Sequence, residues 1–437
     1  MPISGFPEWL PPQRMIELQF LDTIRKTFEL YGFAPLETRA VEPIDELLRK
    51  GETSKEVYLL RRLQEDPEQK ADDTLGLHFD LTVPFARFVL EHAGKLAFPF
   101  RRYQIQKVWR GERPQEGRYR EFLQADIDVV DRDTLPFHYD TEMPLVIGDA
   151  LRALPIPPAV IQVNNRKVCE GFYRGLGLAD TDQVLRTVDK LDKIGPEKVA
   201  ALLVETAGAT DAQAAACLRL AGIAADDGSF VDDVRALGVS DPVLDEGLDE
   251  LLRVVEAAAE HAPGLVRAEL KIARGLDYYT GTVYETQLRG YERFGSICSG
   301  GRYDNLATAG TTRFPGVGIS IGVSRMLGLL FGQDALSISR PVPTCVVVAL
   351  AAEEQRADAD RIAARLRARG IATEVSPSAA KFGKQIRYAE RRGIPYVWFP
   401  GEPDTIKDIR SGEQVEADAG TWQPPAADHL PVVAANG

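Results

Sequence analysis

The sequence predicts an α+β protein. Antiparallel strands flanked by helices occupy the first two-thirds, a helical segment is set into them, and a small α/β domain follows. Three observations predict this. Residues 75–130 hold strand-like runs, of which FRRYQIQKVWRGE and YREFLQADIDVV flank a Gly- and Pro-containing loop, Gly111–Gly117, as in a long hairpin. Residues 178–262 are rich in Ala, Leu and Asp and read as helices. Beyond Thr344, strand and helix patterns alternate.

Taken in order, residues 13–31 form an amphipathic helix, because Ile16, Phe20, Leu21, Ile24, Phe28 and Tyr31 recur at helical spacing and Gly32 ends it. LGLHFD is extended, and a helix starts after Thr82. Residues 136–155 are helical and Ile161–Val163 is a strand. Val199–Ala207 and Leu244–Ala259 are helices of the interposed segment. Strand texture returns over 268–298, and Gly316–Gly322 leads into a helix at 323–332. Ser337–Pro343 reads as a linker. After it come a strand at Thr344–Ala351, a helix at Glu353–Arg369, a strand at Ile371–Val375, a helix at Lys381–Arg392 and a strand at Tyr396–Phe399, with some parallel pairing. The tail after Gln423 reads as mobile.

The chain has 437 residues, 44% of them hydrophobic and 27% charged, which excludes disordered, collagen-like and coiled-coil classes. Its longest apolar run, near Val346–Ala352, is strand-sized, so no membrane span is expected. The N-terminal MPISGFPEWLPPQRMIEL has prolines and charges where a signal peptide needs an apolar stretch, which predicts a cytoplasmic protein. Cysteines 169, 217, 298 and 345 form no CxxC pair, which argues against a disulfide framework, and the five histidines are scattered, so no clustered metal site is expected. Net charge is −13, yet residues 101–120 carry a net +5 and residues 356–392 a net +6. Local basic islands, not the total, decide whether a polyanion can bind.

Five segments carry candidate chemistry. Arg101, Arg102, Arg110, Arg113, Arg118 and Arg120 surround the Gly/Pro loop. Their guanidinium groups fit phosphate or carboxylate, and equally fit a solvated basic hairpin. No GxxxxGK[ST] loop is present. Ala273–Gly281, ARGLDYYTG, places an arginine beside glycines and paired tyrosines, which could hold an anion and on composition alone reads as a tight turn with aromatic core residues. Ser299-Gly300-Gly301-Arg302-Tyr303-Asp304 allows close backbone approach to a ligand, and in isolation reads as a plain turn. Gly316–Arg325 leaves room above a strand and opens a helix with Arg325, and read alone is a structural strand–helix corner. Lys384, Arg387 and Arg391 form a basic helical stripe, by itself a solvated face.

Together these segments resemble the histidyl-tRNA synthetases, a family of class II aminoacyl-tRNA synthetases, from about residue 3 to about 420. RGLDYY, Arg274–Tyr279, is similar to the family's histidine motif. Arg110–Asp128 resembles class II motif 2, GGRYD resembles the glycine-rich loop at the histidine site, and Gly318–Arg325 resembles motif 3. Asp80-Leu81-Thr82 matches the motif that meets the α-amino group, and the segment after Thr344 is similar to the anticodon-binding domain. The resemblance implies a class II catalytic core at 1–177 and 263–336, a helical insertion at 178–262, and an anticodon-binding domain at 343–437.

What the resemblance implies about activity is equally specific. ATP, accompanied by Mg²⁺, activates L-histidine to histidyl-adenylate, and the histidyl group passes to the terminal adenosine of tRNA(His). Arg110 would contact the α-phosphate, Arg274 would stabilise charge developing there, and Arg325 would hold the far end of the triphosphate. Asp128, where many members have Glu, would accept an imidazole N–H. Gln124, Tyr278, Tyr279, Gly300 and Gly301 would complete the histidine pocket with Asp80, Leu81 and Thr82. Residues four apart on a strand share a face, so Gln124 and Asp128 can meet one ligand. A homodimer is expected, although Arg39 holds the place of the motif 1 proline, and Ser324 stands where motif 3 often has Glu. Regulatory paralogues commonly lose catalytic motifs and the anticodon-binding domain; here Arg110, Arg274, Arg325 and the C-terminal α/β pattern are all present.

Overall fold

The computed structural model describes residues 3–48, 56–62, 64, 74–272, 278–305 and 307–436. The chain forms two compact units, Met1–Pro7 with Leu21–Gly332, and Glu8–Phe20 with Gln333–Gly437.

The first unit is built on a nine-stranded sheet among the described residues. Its strands are β1 (Ala34–Pro35), β2 (Phe100–Trp109), β3 (Glu121–Val130), β4 (Ala159–Asn165), β5 (Ala224–Ala225), β6 (Val266–Glu269), β7 (Thr282–Leu288), β8 (Cys298–Tyr303) and β9 (Gly316–Gly322). The spatial order is β1-β2-β3-β9-β8-β7-β4-β6-β5. Only β1 with β2 and β4 with β6 run parallel, so the sheet is mainly antiparallel, as expected. The long hairpin is β2 and β3, paired from Phe100↔Val130 to Trp109↔Glu121.

Alternation gives the sheet two unlike faces. On β3, Ala125, Ile127 and Val129 are fully buried on one side, and Gln124, Asp126 and Asp128 lie on the other. On β9, Val317, Ile319 and Ile321 alternate with Gly318, Ser320 and Gly322. Register places Asp128 beside Gly318, Asp126 beside Ser320 and Gln124 beside Gly322. Polar and small side chains thus form a continuous floor in mid-sheet.

Helices cover the edges of this floor and the opposite face. They include α1 (Pro11–Leu30), α2 (Thr82–His92), α3 (His138–Arg152), α4 (Arg166–Gly175) and α5 (Val323–Gly332). Between α4 and β6 the segment is mostly helical, including Pro196–Ala207 and Pro242–His261. It also supplies β5, an edge strand of the main sheet.

One charge cluster ties α3 to the sheet. Arg302 on β8 meets Asp140 of α3 at 2.6 Å, with Asp140 fully buried. Thr282 donates to the same carboxylate at 2.8 Å, and the Tyr284 hydroxyl donates to the Asp140 carbonyl at 2.6 Å. Burial pushes the Asp140 carboxyl up, against the pull of Arg302.

The second unit has a five-stranded sheet: β10 (Val346–Val348), β11 (Thr373–Val375), β12 (Tyr396–Phe399), β13 (Thr405–Asp408) and β14 (Gln414–Glu416), ordered β11-β10-β12-β13-β14. β10 pairs in parallel with both β11 and β12, and α6 (Arg356–Ala368) and α7 (Phe382–Arg391) intervene in the chain. Strands β13 and β14, which the sequence reading did not mark, extend the sheet antiparallel. Two further expectations are corrected. The presumed linker contains a strand, Leu336–Ile338, paired with Val433–Ala435 in the presumed mobile tail. The tail is also fixed by charge, since Asp428 accepts from Tyr396 at 2.6 Å and from Arg410 at 2.7 Å. Short polar-flanked segments of this kind gain order from partners remote in sequence, which local patterning does not show.

Breaking a buried pair by removing one partner leaves the other charge uncompensated. Arg302→Met is therefore expected to lower stability by about 3–5 kcal/mol in urea unfolding.

Candidate active site

The polar floor opens into two adjoining cavities. The smaller, about 70 Å³, is lined by residues including Asp80, Thr82, Gln124, Asp126, Asp128 and Tyr303. The larger, about 290 Å³, is lined by residues including Glu112, Arg118, Phe122, Glu285 and Arg325. Arg110, Gln124, Tyr278, Tyr279, Ser299, Gly300 and Ser320 line both.

Beneath the smaller cavity lies Arg102, fully buried. Its Nη2 meets Asp128 Oδ2 at 2.6 Å, and its guanidinium stacks over the Phe85 ring at 4.3 Å. The Tyr303 hydroxyl donates to Asp128 Oδ1 at 2.7 Å. Asp128 is thus held as a paired carboxylate at the cavity wall. Asp80 Oδ1 accepts from the Val83 backbone N–H at 3.1 Å, in the first turn of α2, which fixes that carboxylate and favours its charge. Gln124 donates to Ser320 Oγ at 2.8 Å.

Asp126 stands between Gln124 and Asp128 on the same face and is 4% exposed. Its carboxyl is pushed up to about 7, chiefly by burial, with Arg102 and the Ser320 hydroxyl opposing the rise and Asp128 and Asp80 adding to it. The sequence reading stepped over this residue. The alternation that joined Gln124 to Asp128 also placed Asp126 between them, and was the available signal.

Arg110 sits where the cavities meet. Its Nε donates to the Phe79 carbonyl at 2.9 Å, and its guanidinium lies over the Phe122 ring at 5.2 Å. Its Nη1 lies 4.0 Å from Glu112 on the wall of the larger cavity. Arg325 donates to the Phe294 carbonyl and lines the larger cavity. Ser324 is buried and accepts from the Leu123 N–H at 2.9 Å, joining the start of α5 to β3.

Two glycines make room for side chains of the site. A Cβ on Gly318 would lie 2.2 Å from Asp128 Oδ1, and one on Gly301 would lie 2.8 Å from the Tyr279 ring. Tyr278 and Tyr279 pack against each other with centroids 4.1 Å apart. Gly301 supports Tyr279 from the strand and lines neither cavity; Leu81 is buried, and its carbonyl faces Arg102 at 3.5 Å. Arg274 lies outside the described residues, as do Gly275, Leu276 and Asp277.

The arginine cluster of the sequence reading divides. Arg110 and Arg118 line the larger cavity. Arg102 is structural to the smaller one, while Arg101 pairs with Glu142 at 2.9 Å and Arg120 donates to the Glu112 carbonyl at 3.0 Å. Among the described residues, no group of three or more His, Cys, Asp or Glu is arranged to hold a metal ion.

Gly318→Ala forces a methyl into the space of the Asp128 carboxylate. It is expected to cost about 1–3 kcal/mol in urea unfolding, the usual penalty of overpacking.

Comparison with known proteins follows the same division. A family profile described as histidyl-tRNA synthetase matches residues 5–326, and one described as an anticodon binding domain matches residues 344–420. A histidine–tRNA ligase of Cutibacterium acnes is 58% identical over 445 residues, covering 99% of this chain and 98% of that protein. One of Micrococcus luteus is 59% identical over 448 residues, covering 99% and 98%. The crystal structure of histidyl-tRNA synthetase from a Nostoc species superposes with a TM-score of 0.84 at 37% identity, covering 96% of this chain and 97% of the other.

Proposed function

The chain belongs to the histidyl-tRNA synthetase family and is an ATP-dependent ligase that joins histidine to tRNA(His), and we propose that its two cavities divide the reactants, histidine in the smaller and ATP in the larger. The observation that carries this reading is Arg110, which lines both. The α-phosphate must lie where the histidine carboxylate can reach it, and Arg110 is the cation at that junction.

The reaction then follows from placement. A carboxylate oxygen of histidine attacks the α-phosphorus in line, the bond to the bridging oxygen breaks, and pyrophosphate leaves. Such a step depends on positioning and charge stabilisation. Arg110 neutralises the α-phosphate as the two anions approach. Asp80 and Thr82 receive the α-ammonium, and Asp128 faces the imidazole. Tyr278 and Tyr279, backed by Gly301, close the ring's end, and Gly300 lets the ligand lie against β8. Arg325 holds the outer phosphates with Arg118. Arg274 would stabilise the developing charge from the histidine side, a role that rests on RGLDYY alone. Mg²⁺ would accompany ATP, and Glu112 and Glu285 on the wall of the larger cavity would offer it the hard oxygen donors it favours.

The C-terminal unit presents Lys384, Arg387 and Arg391 on an exposed face of α7, with Gln385 and Ala389 buried behind. This is the surface we assign to the tRNA backbone. The catalytic core takes residues 1–177 and 263–336, the insertion 178–262, and the anticodon-binding domain 343–437. No described helix is long and apolar enough to cross a membrane. We place the protein in the cytoplasm with its tRNA substrate, as a homodimer.

Histidine-dependent pyrophosphate exchange tests the division. Asp128→Asn should raise the histidine KM roughly tenfold or more, as expected on removing the negative charge beside the imidazole, and leave the ATP KM unmoved. Arg110→Ala should lower kcat by roughly 100-fold or more, in the range for losing one preorganised donor. Equal rises in both KM values for Asp128→Asn would contradict the division. Light scattering at micromolar protein should give twice the 48.1 kDa chain mass, and a stable monomer would remove the dimer.

A further inference from the structure

The floor of the smaller cavity holds one carboxyl that none of the assigned roles uses. Asp126 is buried, lines that cavity, and among the described residues no donor reaches its Oδ1. Asp128, by contrast, has both oxygens engaged, one by Arg102 and one by Tyr303. Gln124 spends its N–H on Ser320, and its Oε1 is likewise without a donor among the described residues. The wall assigned to the histidine side chain therefore offers two acceptors with unmet capacity, and one of them is a carboxyl. A buried acceptor left unpaired is costly, so it marks a place where a ligand donor belongs.

We propose that Asp126 is a second specificity-determining residue of the histidine site, its Oδ1 accepting an N–H of the substrate imidazole while Asp128, locked by Arg102 and Tyr303, shapes and charges the wall beside it. The proposal rests on the placement of histidine in the smaller cavity. Asp80, fixed at the start of α2, is the carboxylate that meets the α-ammonium, which leaves Asp126 for the ring.

The charged groups facing Asp126 come from several elements: Arg102 on β2, Asp128 on its own strand, Asp80 before α2 and Arg110 across the cavity. Tyr278 and Tyr303 also face the site, with burial holding both hydroxyls protonated. In this setting the Asp126 carboxyl titrates at about 7. Below that value it is protonated and a poor acceptor; above it the carboxylate accepts fully. Ligand binding through Asp126 therefore tightens as pH rises.

Histidine itself titrates nearby, which would obscure the effect. Triazolylalanine keeps a ring N–H but does not change charge near neutrality, so it isolates the protein group. In pyrophosphate exchange by the full chain, its KM should fall as pH rises from about 6 to about 8. A flat profile in the unaltered enzyme overturns the proposal without any variant. Asp126→Asn should flatten that profile and raise the histidine KM roughly tenfold or more, with the ATP KM unmoved. If Asp126→Asn leaves the histidine KM and the profile unchanged while Asp128→Asn impairs histidine use, Asp126 has no such role and the histidine placement stands. If neither variant moves the histidine KM, the placement fails as well.

Discussion

A guanidinium removed from water must be neutralised where it lies, and Arg102 is fully buried beneath the smaller cavity. Its partner, Asp128, sits directly across the β2–β3 pair, at Arg102↔Asp128 in the register. That single pairing sets much of what surrounds it. Gly318 on the next strand has no side chain because the Asp128 carboxylate occupies the space, and Tyr303 two strands away completes the carboxylate's second oxygen. On the other side, Arg102 reaches the Leu81 carbonyl and the Phe85 ring, which brings the start of α2, and with it Asp80, to the cavity edge. A charge buried for structural reasons thereby fixes the positions of two carboxylates that face the ligand.

The same charge leaves a surplus of acid. Asp80, Asp126 and Asp128 share the smaller cavity with one buried cation beneath it and Arg110 at its rim. Three carboxyls so close cannot all ionise at ordinary cost, and burial pushes the Asp126 carboxyl up, with Asp128 and Asp80 adding to the rise. The larger cavity has the opposite character on its inner wall, with Arg110, Arg118 and Arg325 suited to phosphates. The two cavities thus differ in charge before shape is considered.

The hairpin, the polar alternation on it and the strand–helix corner at Gly316–Gly332 were legible in the sequence because strand period and glycine placement are local signals. The roles of the arginines were not. Arg101, Arg102, Arg110 and Arg120 look alike in sequence, yet their partners, Glu142, Asp128, Phe79 and Glu112, are chosen by register and loop closure. Asp126 was legible but passed over, because a spacing of four was matched to a motif instead of a spacing of two being followed along the strand. The paired strands 336–338 and 433–435 were not legible, since each is three residues long and neither has a periodic pattern of its own.

Two of the three places where the chain departs from the motifs it resembles, Arg39 and Ser324, show how one constraint can replace another. A proline at the position of Arg39 would fix the backbone directly. Here Arg39 meets Glu42 at 2.8 Å, Arg87 of α2 meets the other oxygen of Glu42 at 2.8 Å, and Arg87 also holds Glu91 at 2.6 Å. Glu42 is fully buried and Arg87 nearly so, while Arg39 and Glu91 at the two ends are exposed; the chain of charges joins the strand Val41–Pro43 to the helix that Thr82 begins. Ser324 makes the corresponding substitution at the other end. Too short to reach a nucleotide as a glutamate would, it binds the Leu123 N–H and fixes the start of α5 against β3, one residue from Gln124 and one from Arg325. Each departure makes a polar contact with a buried group, Glu42 in one case and Ser324 in the other, so the chain is held there by the fold's interior and not by the motif residues alone.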